Sequence, residues 1–257
     1  MKPRFNSLRR FLDSLSDAFY LWRVGASLRS VVMYLGSRRG SAASKIFHKH
    51  AAVLAEMKAL VGDGRFKQDW FTHNVPYWME AFDRSGLRSR AIKALEIGSF
   101  EGLSACFILK QLPQATLTCV DAWAGSNEYA EIDCFSIVEE AFDRNTAPWR
   151  SQVTKYKGLS LSYFATLEKE TFDFIYIDGS HHGDDVIADA ICAFTHLKVG
   201  GVMIFDDYLW RRYPRLNENP AAAINAFLHL ITGRYQILMV YYQLALIKTA
   251  DRSAPQN

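Results

Sequence analysis

The chain has 257 residues, which is enough for one large domain or for a domain with an extension. Apolar residues make up 49% and aromatic residues 14% of the composition, which is ordinary for a soluble protein and enough for a sizeable core. The net charge is only +3, but residues 1–50 hold ten Lys or Arg and two Asp or Glu, so the leader is basic and the remainder slightly acidic.

The cysteines and the early apolar stretch predict where the protein works. The four cysteines form no C-x-x-C pair, which predicts reduced thiols and a cytoplasmic location. They are Cys106, Cys119, Cys134 and Cys192. The most apolar early stretch, residues 18–35, contains Arg23 and Arg29, so a membrane span is not expected.

The first element in chain order is an amphipathic helix. Apolar residues recur every three or four positions, at Phe5, Leu8, Leu12, Leu15, Phe19 and Trp22. This face is predicted to pack on the domain or on a second subunit of a homodimer; the alternative is peripheral contact with an anionic membrane. Residues 36–41 are predicted to form a flexible break, and residues 45–60 a second helix. Residues 1–66 are therefore interpreted as a basic helical extension.

An aromatic segment follows the extension, over residues 68–78. Pro76 suits the first turn of a helix that runs to about Phe82. We expect this helix to fold over a ligand as a lid.

The segment 94–106 reads as a buried strand, a glycine turn and a helix. Glu96 stands just before Gly98, and a second strand, residues 115–120, ends on Asp121. This order is typical of a Rossmann-like half, which presents a nucleoside at the carboxyl ends of parallel strands. Asp121 is then placed to accept hydrogen bonds from a ribose diol.

The glycine spacing indicates which nucleoside cofactor is bound. A dinucleotide turn needs G-x-G-x-x-G, but Phe100 takes the place of the second glycine, and the chain has no G-x-x-x-x-G-K-[ST] motif. A nucleoside without a phosphate fits better, and S-adenosylmethionine is the common one. A nicotinamide-dependent oxidoreductase is the alternative on the same fold.

Four motifs resemble those of a known family. They are Glu96-Ile-Gly-Ser-Phe-Glu-Gly102, Cys119-Val-Asp-Ala-Trp123, Tyr176-Ile-Asp-Gly-Ser-His-His182 and Gly200-Gly-Val-Met-Ile-Phe-Asp-Asp-Tyr208. Over residues 69–248 the chain resembles class I S-adenosylmethionine-dependent methyltransferases of the Methyltransferase-24 type. One departure is Gly183, where a tyrosine is usual after the histidine pair.

The rest of the chain alternates strands with helices up to a closing pair of apolar strands, residues 235–241 and 243–247. This pattern predicts an α/β fold with helices on both faces of a mainly parallel sheet. The resemblance implies a Rossmann-like seven-stranded sheet that ends in an antiparallel hairpin. The methyltransferase domain is predicted to span residues 67–248, and residues 249–257 a flexible tail.

The cofactor site is predicted from position along the strands. Gly98 and Ser99 would approach the methionine moiety, and Glu96 its ammonium group. Leu159 and Ser160 follow the third strand and would flank adenine. The full predicted pocket is Glu96, Gly98, Ser99, Gly102, Asp121, Ala122, Trp123, Leu159, Ser160 and Asp178. Two alternatives stay open: Trp123 as a core residue and Asp121 as a helix cap.

Two neighbouring strand ends carry acids, and this predicts the chemical site. Asp178 follows one strand, and Asp206 and Asp207 follow the next, so the three should meet at one edge as ligands of Mg²⁺ or another divalent cation. The alternative is that they cap helices. By resemblance to catechol-type enzymes, His181 would take the acceptor's proton, with His182 as the second candidate.

The predicted activity is metal-assisted O-methylation of a small-molecule or sugar hydroxyl. The acceptor wall is expected to comprise Tyr208, Trp210, Arg211, Arg212 and Tyr213. A non-catalytic cofactor-binding scaffold is another alternative. Nucleic acid is not an expected partner, because the acidic body lacks a basic patch interleaved with aromatic residues.

Overall fold

A computed structural model describes residues 3–38, 40–124, 135–168 and 171–253. The described part of the leader holds four α-helices: α1 Pro3–Arg23, α2 Leu28–Arg38, α3 Gly40–Lys49 and α4 Ala51–Gly62. Among the described residues, none of the helices combines the length and apolar character needed to cross a membrane. Cys134 and residues 254–257 of the predicted tail lie outside the described residues.

Two predictions for this leader are wrong. The break expected at residues 36–41 is helical wherever it is described, since Gly36 lies within α2 and α3 begins at Gly40. The helix expected over residues 45–60 is divided at His50, which separates α3 from α4.

A seven-stranded sheet forms the body of the protein. Its strands are β1 Ile92–Ile97, β2 Ala115–Asp121, β3 Val153–Lys157, β4 Phe172–Ile177, β5 Leu197–Phe205, β6 Tyr235–Val240 and β7 Leu244–Lys248. The helices around it are α5 Val75–Ser85, α6 Leu103–Gln111, α7 Phe135–Thr146, α8 Ser160–Phe164, α9 Gly183–His196 and α10 Pro220–Leu230. The strand order is β3-β2-β1-β4-β5-β7-β6, and only β7 pairs antiparallel, with β5 and β6. The predicted fold class is confirmed.

The register brings the strand ends together. Ile97 pairs with Val120 on one side and with Ile177 on the other, and Ile177 in turn pairs with Phe205. The residues after these strands therefore lie side by side along one edge. The strand order reverses direction between β1 and β4, which is where open α/β sheets bind ligands.

Each face of the sheet carries its own apolar core. One core joins α1, α2, α9 and α10 to the sheet, and the other joins α4, α5, α6 and α7. All six residues of β4 are buried, as expected for a parallel strand covered on both faces.

The predicted apolar face of α1 does not pack on the domain. The helix is buried through Ala18, Tyr20 and Leu21, whereas Leu12, Leu15, Phe19 and Trp22 are exposed; the side chains of Phe5 and Leu8 are not described. Asp17 fixes this rotation, because its carboxylate accepts hydrogen bonds from the Tyr34 hydroxyl at 2.6 Å and from Arg211 at 2.9 Å.

The predicted lid is wrong for helix α5. Trp78 and Phe82 are fully buried, and Trp78 packs edge-on against Tyr176 of β4, with 4.6 Å between ring centroids. The helix ends at Ser85 and is followed by Gly86, which adopts a left-handed conformation. This helix is part of the core. Only the segment before it reaches the glycine turn, where the Trp70 ring lies 5.0 Å from that of Phe100.

Candidate active site

Three carboxylates converge where β4 and β5 end. Ligand oxygens of Asp178, Asp206 and Asp207 all lie within 4.8 Å of one another. The Tyr176 hydroxyl contacts both Asp178 Oδ2, at 2.9 Å, and Asp206 Oδ2. A phenol has a single proton, so these two contacts are satisfied together only when one carboxylate is protonated.

The cluster is electrostatically unfavourable without a cation. Desolvation, followed by the charges of Asp206 and Asp207, holds the pKa of Asp178 well above its usual range. Desolvation and the charge of Asp207 raise the pKa of Asp206 to about 7. A cavity of about 10 Å³, the size of one water, lies against all three acids. An oxygen-only donor set of this kind fits a hard divalent cation.

His181 is held against the third acid. Its Nε2 lies 2.7 Å from Asp207 Oδ2, and its ring stacks on Trp210 with 4.6 Å between centroids. The Tyr242 hydroxyl donates to the other oxygen, Asp207 Oδ1, at 2.8 Å. The imidazole is therefore fixed in position and in plane, facing the acid cluster.

The predicted acceptor wall is formed only in part. Trp210 packs edge-on against Tyr213, which stacks on His182 at 4.3 Å, and Arg212 lies over the Trp210 ring. The prediction for Tyr208 is wrong, because this residue is fully buried and its hydroxyl donates to Asn225.

Arg211 is a second correction in this wall. Its guanidinium pairs with Asp17 of α1 at 2.9 Å and lies over the Tyr20 ring. Its side chain therefore joins the wall to the leader instead of facing an acceptor.

Asp121 organises the glycine turn. One carboxylate oxygen accepts from the backbone N–H groups of Ser99 and Phe100, both at 2.9 Å, and the other from that of Trp123 at 2.7 Å. Each oxygen of an ionised carboxylate can accept more than one hydrogen bond, so the second oxygen keeps capacity for a further donor. The partly exposed side chain thus orders the turn and can still meet a ligand.

Gly98 is required by the protein's own backbone. Its φ is +82°, and a Cβ there would stand 1.8 Å from the carbonyl oxygen of Asp178. The prediction explained this glycine by close approach of a ligand, but the group that approaches is the end of β4. Gly102, also left-handed, is the residue just before α6, and a Cβ there would lie 3.0 Å from the Phe142 ring.

Unpartnered polar atoms are buried beside the turn. Glu96 is fully buried, and its Oε1 accepts from the Ser104 hydroxyl at 2.5 Å. Among the residues that the structure describes, neither Glu96 Oε2 nor the Ser99 hydroxyl has a hydrogen-bond partner. Burial raises the pKa of Glu96 to about 7. Buried polar atoms are rarely left unsatisfied, so these two mark a position where a polar ligand group fits.

The remaining predicted pocket residues lie around this turn. Trp123 is buried against Phe142, and its Nε1 donates to the Phe100 carbonyl. Trp123 therefore packs as a core residue, which is the alternative left open for it in the sequence analysis. Leu159 is exposed at the N-terminus of α8, and the Ser160 hydroxyl donates to Asp189 at 2.5 Å. Ala122 is half-buried between Asp121 and Trp123.

Backbone strain is concentrated at this edge. Phe100, Trp123 and Asp207 have φ of 44°, 42° and 55°, and they are the only non-glycine residues of the described chain with positive φ. Such conformations cost energy and tend to cluster at functional sites.

Sequence reasoning missed several residues of the site. They are Tyr176, Asp189, Tyr242 and Gln243. Tyr176 carried a usable signal, because residues two apart on a strand share a face and Tyr176 stands two before Asp178. Gln243 and Tyr242 depend on the antiparallel register of β7, which the sequence pattern did not define.

Comparisons with known proteins agree with this fold. Residues 95–208 match a family model described as a methyltransferase domain. A search of curated proteins found no match.

Solved structures with a similar fold include three methyltransferases. The Podospora anserina methyltransferase with bound S-adenosylhomocysteine is 17% identical (TM-score 0.55; 83% of this chain and 97% of that one). The Bacillus cereus O-methyltransferase, also with S-adenosylhomocysteine, is 19% identical (TM-score 0.50; 77% and 91%). MycE of the mycinamycin pathway, solved with Mg, S-adenosylhomocysteine and mycinamycin VI, is 16% identical (TM-score 0.53; 76% and 54%).

Fold and family match together define a class I methyltransferase, and the alternative of a nicotinamide-dependent oxidoreductase is set aside. Residues 95–208 are a methyltransferase domain of the Methyltransferase-24 family, as predicted.

Proposed function

We propose that this protein is an S-adenosylmethionine-dependent O-methyltransferase that uses a divalent cation, and that its acceptor is a hydroxyl of a small molecule or sugar. The observation that carries the proposal is the convergence of Asp178, Asp206 and Asp207 next to the Gly98 turn. The Mg-containing MycE structure supports a cation, and the bound S-adenosylhomocysteine of all three similar structures supports the methyl donor.

At the carboxyl edge of the sheet, one group of residues would bind the methyl donor and another would bind the cation. The turn residues Glu96, Ser99 and Asp121 would bind the polar groups of the donor. Asp178, Asp206 and Asp207 would hold the cation. When bound, S-adenosylmethionine supplies an electrophilic methyl group, and the cation lowers the pKa of the acceptor hydroxyl.

His181 is assigned the removal of the acceptor's proton. Asp207 orients its ring and favours the imidazolium that results, and stacking on Trp210 keeps one face of the ring away from water. His182 is the alternative base, since it stands beside the same wall.

The metal requirement is tested directly by Mn²⁺ titration followed by electron paramagnetic resonance. Wild type should bind Mn²⁺, Asp206→Asn should lose binding, and the matched variant Asp184→Asn, on an exposed helix start, should keep it. Methyl transfer to a panel of phenols and sugars should then fail in EDTA. Turnover that survives both EDTA and Asp206→Asn would show metal-independent methylation.

The donor and base assignments are separated by calorimetry with S-adenosylhomocysteine. Asp121→Asn should abolish or strongly weaken binding, whereas His181→Ala should bind normally and turn over about 10²–10⁴-fold more slowly, the usual contribution of a general base. If His182→Ala shows that loss and His181→Ala does not, the base is His182. Unchanged binding in Asp121→Asn contradicts the donor pocket.

A further inference from the structure

The bulky apolar row of α1 faces solvent. Phe11, Leu12, Leu15, Phe19 and Trp22 are between 43% and 67% exposed. They recur at helical spacing, and the rings of Phe19 and Trp22 lie 6.0 Å apart. Together with Leu28 and Val32 of α2, they make up half of the exposed large apolar side chains in the described chain.

This row is presented by a firmly attached helix. The opposite face of α1 is buried in the core through Leu21, and so is Val24 directly after the helix. The Val24 carbonyl accepts from Asn225 at 3.1 Å, and the Gly25 carbonyl contacts His229 at 3.0 Å, both on α10. Rotating the row inward would break these contacts, so its exposure is a property of the folded protein.

Arginines border the row. Arg9 stands three positions before Leu12, and Arg23 four after Phe19, so both lie next to the row on the helix surface. Arg29 follows Leu28 in α2. All three are exposed, and none forms an ion pair with a described residue. Asp13 is the only exposed acid of these two helices, because Asp17 is occupied by Arg211 and Tyr34.

We propose that this surface, formed by the five apolar residues of α1 with Arg9, Arg23 and Arg29, docks the enzyme on an anionic lipid bilayer. An apolar row containing Trp and Phe, flanked by arginines, matches the boundary between acyl chains and negatively charged headgroups. A second copy fits less well. In a two-fold contact the same patch meets itself, which would bring the arginines of both copies together.

The docked helix is connected to the acceptor wall. Asp17 of α1 binds Arg211, which is adjacent in sequence to Trp210, the residue that stacks on His181. Docking through α1 would therefore hold the wall close to the bilayer surface.

The test is co-sedimentation of the full chain with vesicles of phosphatidylcholine, with and without phosphatidylglycerol. Wild type should bind the anionic vesicles, and added salt should weaken binding. Trp22→Asp combined with Phe19→Asp should lower the partition coefficient at least about tenfold, because two aromatic side chains no longer enter the bilayer. Replacing the three arginines by glutamine should cost about fivefold for each charge.

The matched control is Ile137→Asp, which changes an exposed apolar residue of α7 on the other face of the sheet. It should bind vesicles like wild type. Sedimentation velocity distinguishes the alternative occupant: a dimer that becomes monomeric in the Trp22→Asp variant would make this face a subunit interface and overturn the proposal. Failure of wild type to bind anionic vesicles, or equal loss in Ile137→Asp, would overturn it as well.

Discussion

The indole N–H of Trp78 donates a hydrogen bond to Oε1 of Gln243 at 2.6 Å. This contact orients the amide, so that Gln243 Nε2 donates to Asp206 Oδ2 at 2.8 Å. A fully buried tryptophan of α5 thereby positions an acid of the proposed cation site through the turn between β6 and β7.

Replacing Gln243 by leucine should destabilise the fold and disturb the cluster. The buried indole N–H would lose its acceptor, and an unsatisfied buried donor costs about 1–3 kcal/mol. Urea unfolding should show this loss, and Mn²⁺ affinity should fall with it. Gln236→Leu, an exposed change in β6, should leave both quantities near wild type. Equal behaviour of the two variants would remove the role assigned to the Trp78–Gln243 contact.

Asp178→Asn should stabilise the metal-free protein while abolishing its activity. Because the pKa of Asp178 is raised in the folded state, the protein loses stability as pH rises through that pKa. Above that pH, removing one of two like charges within 4.8 Å is worth on the order of 3 kcal/mol at an effective dielectric constant of about 20. Urea unfolding in EDTA at alkaline pH, with Asp184→Asn as the control, measures this gain. A loss of stability would mean that the carboxylates do not repel each other as described.

Glu96→Gln should weaken the dependence of the free energy of unfolding on pH. The pKa of Glu96 is raised from 4.5 to about 7, so folding favours the protonated form and wild type loses stability as pH rises between these values. The full shift corresponds to roughly 3 kcal/mol. Between about pH 4.5 and 7 the free energy of unfolding of the variant should fall by that much less than in wild type, since Asp206 still contributes to the fall; the exposed control Glu140→Gln should retain the full wild-type fall. A wild-type profile that is already flat there would argue against a desolvated Glu96.

Gly98→Ala should prevent folding or destabilise the protein by more than about 4 kcal/mol, because the new Cβ would overlap the Asp178 carbonyl. Gly200→Ala is the matched control. Gly200 has the same φ of +82°, but in the described part of the chain no atom beyond its two neighbours lies within 4 Å of its Cβ position, so the substitution should cost only the conformational penalty of about 1–2 kcal/mol. Thermal unfolding measures both. Similar losses in the two variants would show that φ, and not the close backbone contact, makes Gly98 necessary.

The edge of the sheet was predictable because parallel strands share a direction. Once strands ending before Gly98, Asp121, Asp178 and Asp206 were recognised, their order along the chain sufficed to bring these residues to one edge. The polar partners of the cluster were not predictable in this way. Gln243 reaches Asp206 only because β7 pairs antiparallel with β5 in one particular register, with Leu244 opposite Phe205.

The orientation of α1 could not be predicted from the periodicity of its apolar residues alone. The pattern correctly indicated a helix with a bulky apolar row, but the pattern does not say whether that row meets the core. Ala18, Tyr20 and Leu21 pack inward, and the contacts of Asp17 with Tyr34 and Arg211 set the rotation. These partners are 17 and 194 positions away in the chain, so no local signal reports them.

The contact between the Gly98 turn and the end of β4 bears on how reactants enter. Because the main chain at Gly98 directly contacts the main chain at Asp178, the proposed donor side and the proposed acceptor side of the site are held at a fixed distance. This distance is determined by the fold and does not depend on a bound ligand. Substrate entry and product release therefore depend on the outer segments that carry Trp70, Leu159 and Trp210. Substitutions in these segments should change the rate of product release more than the rate of the chemical step.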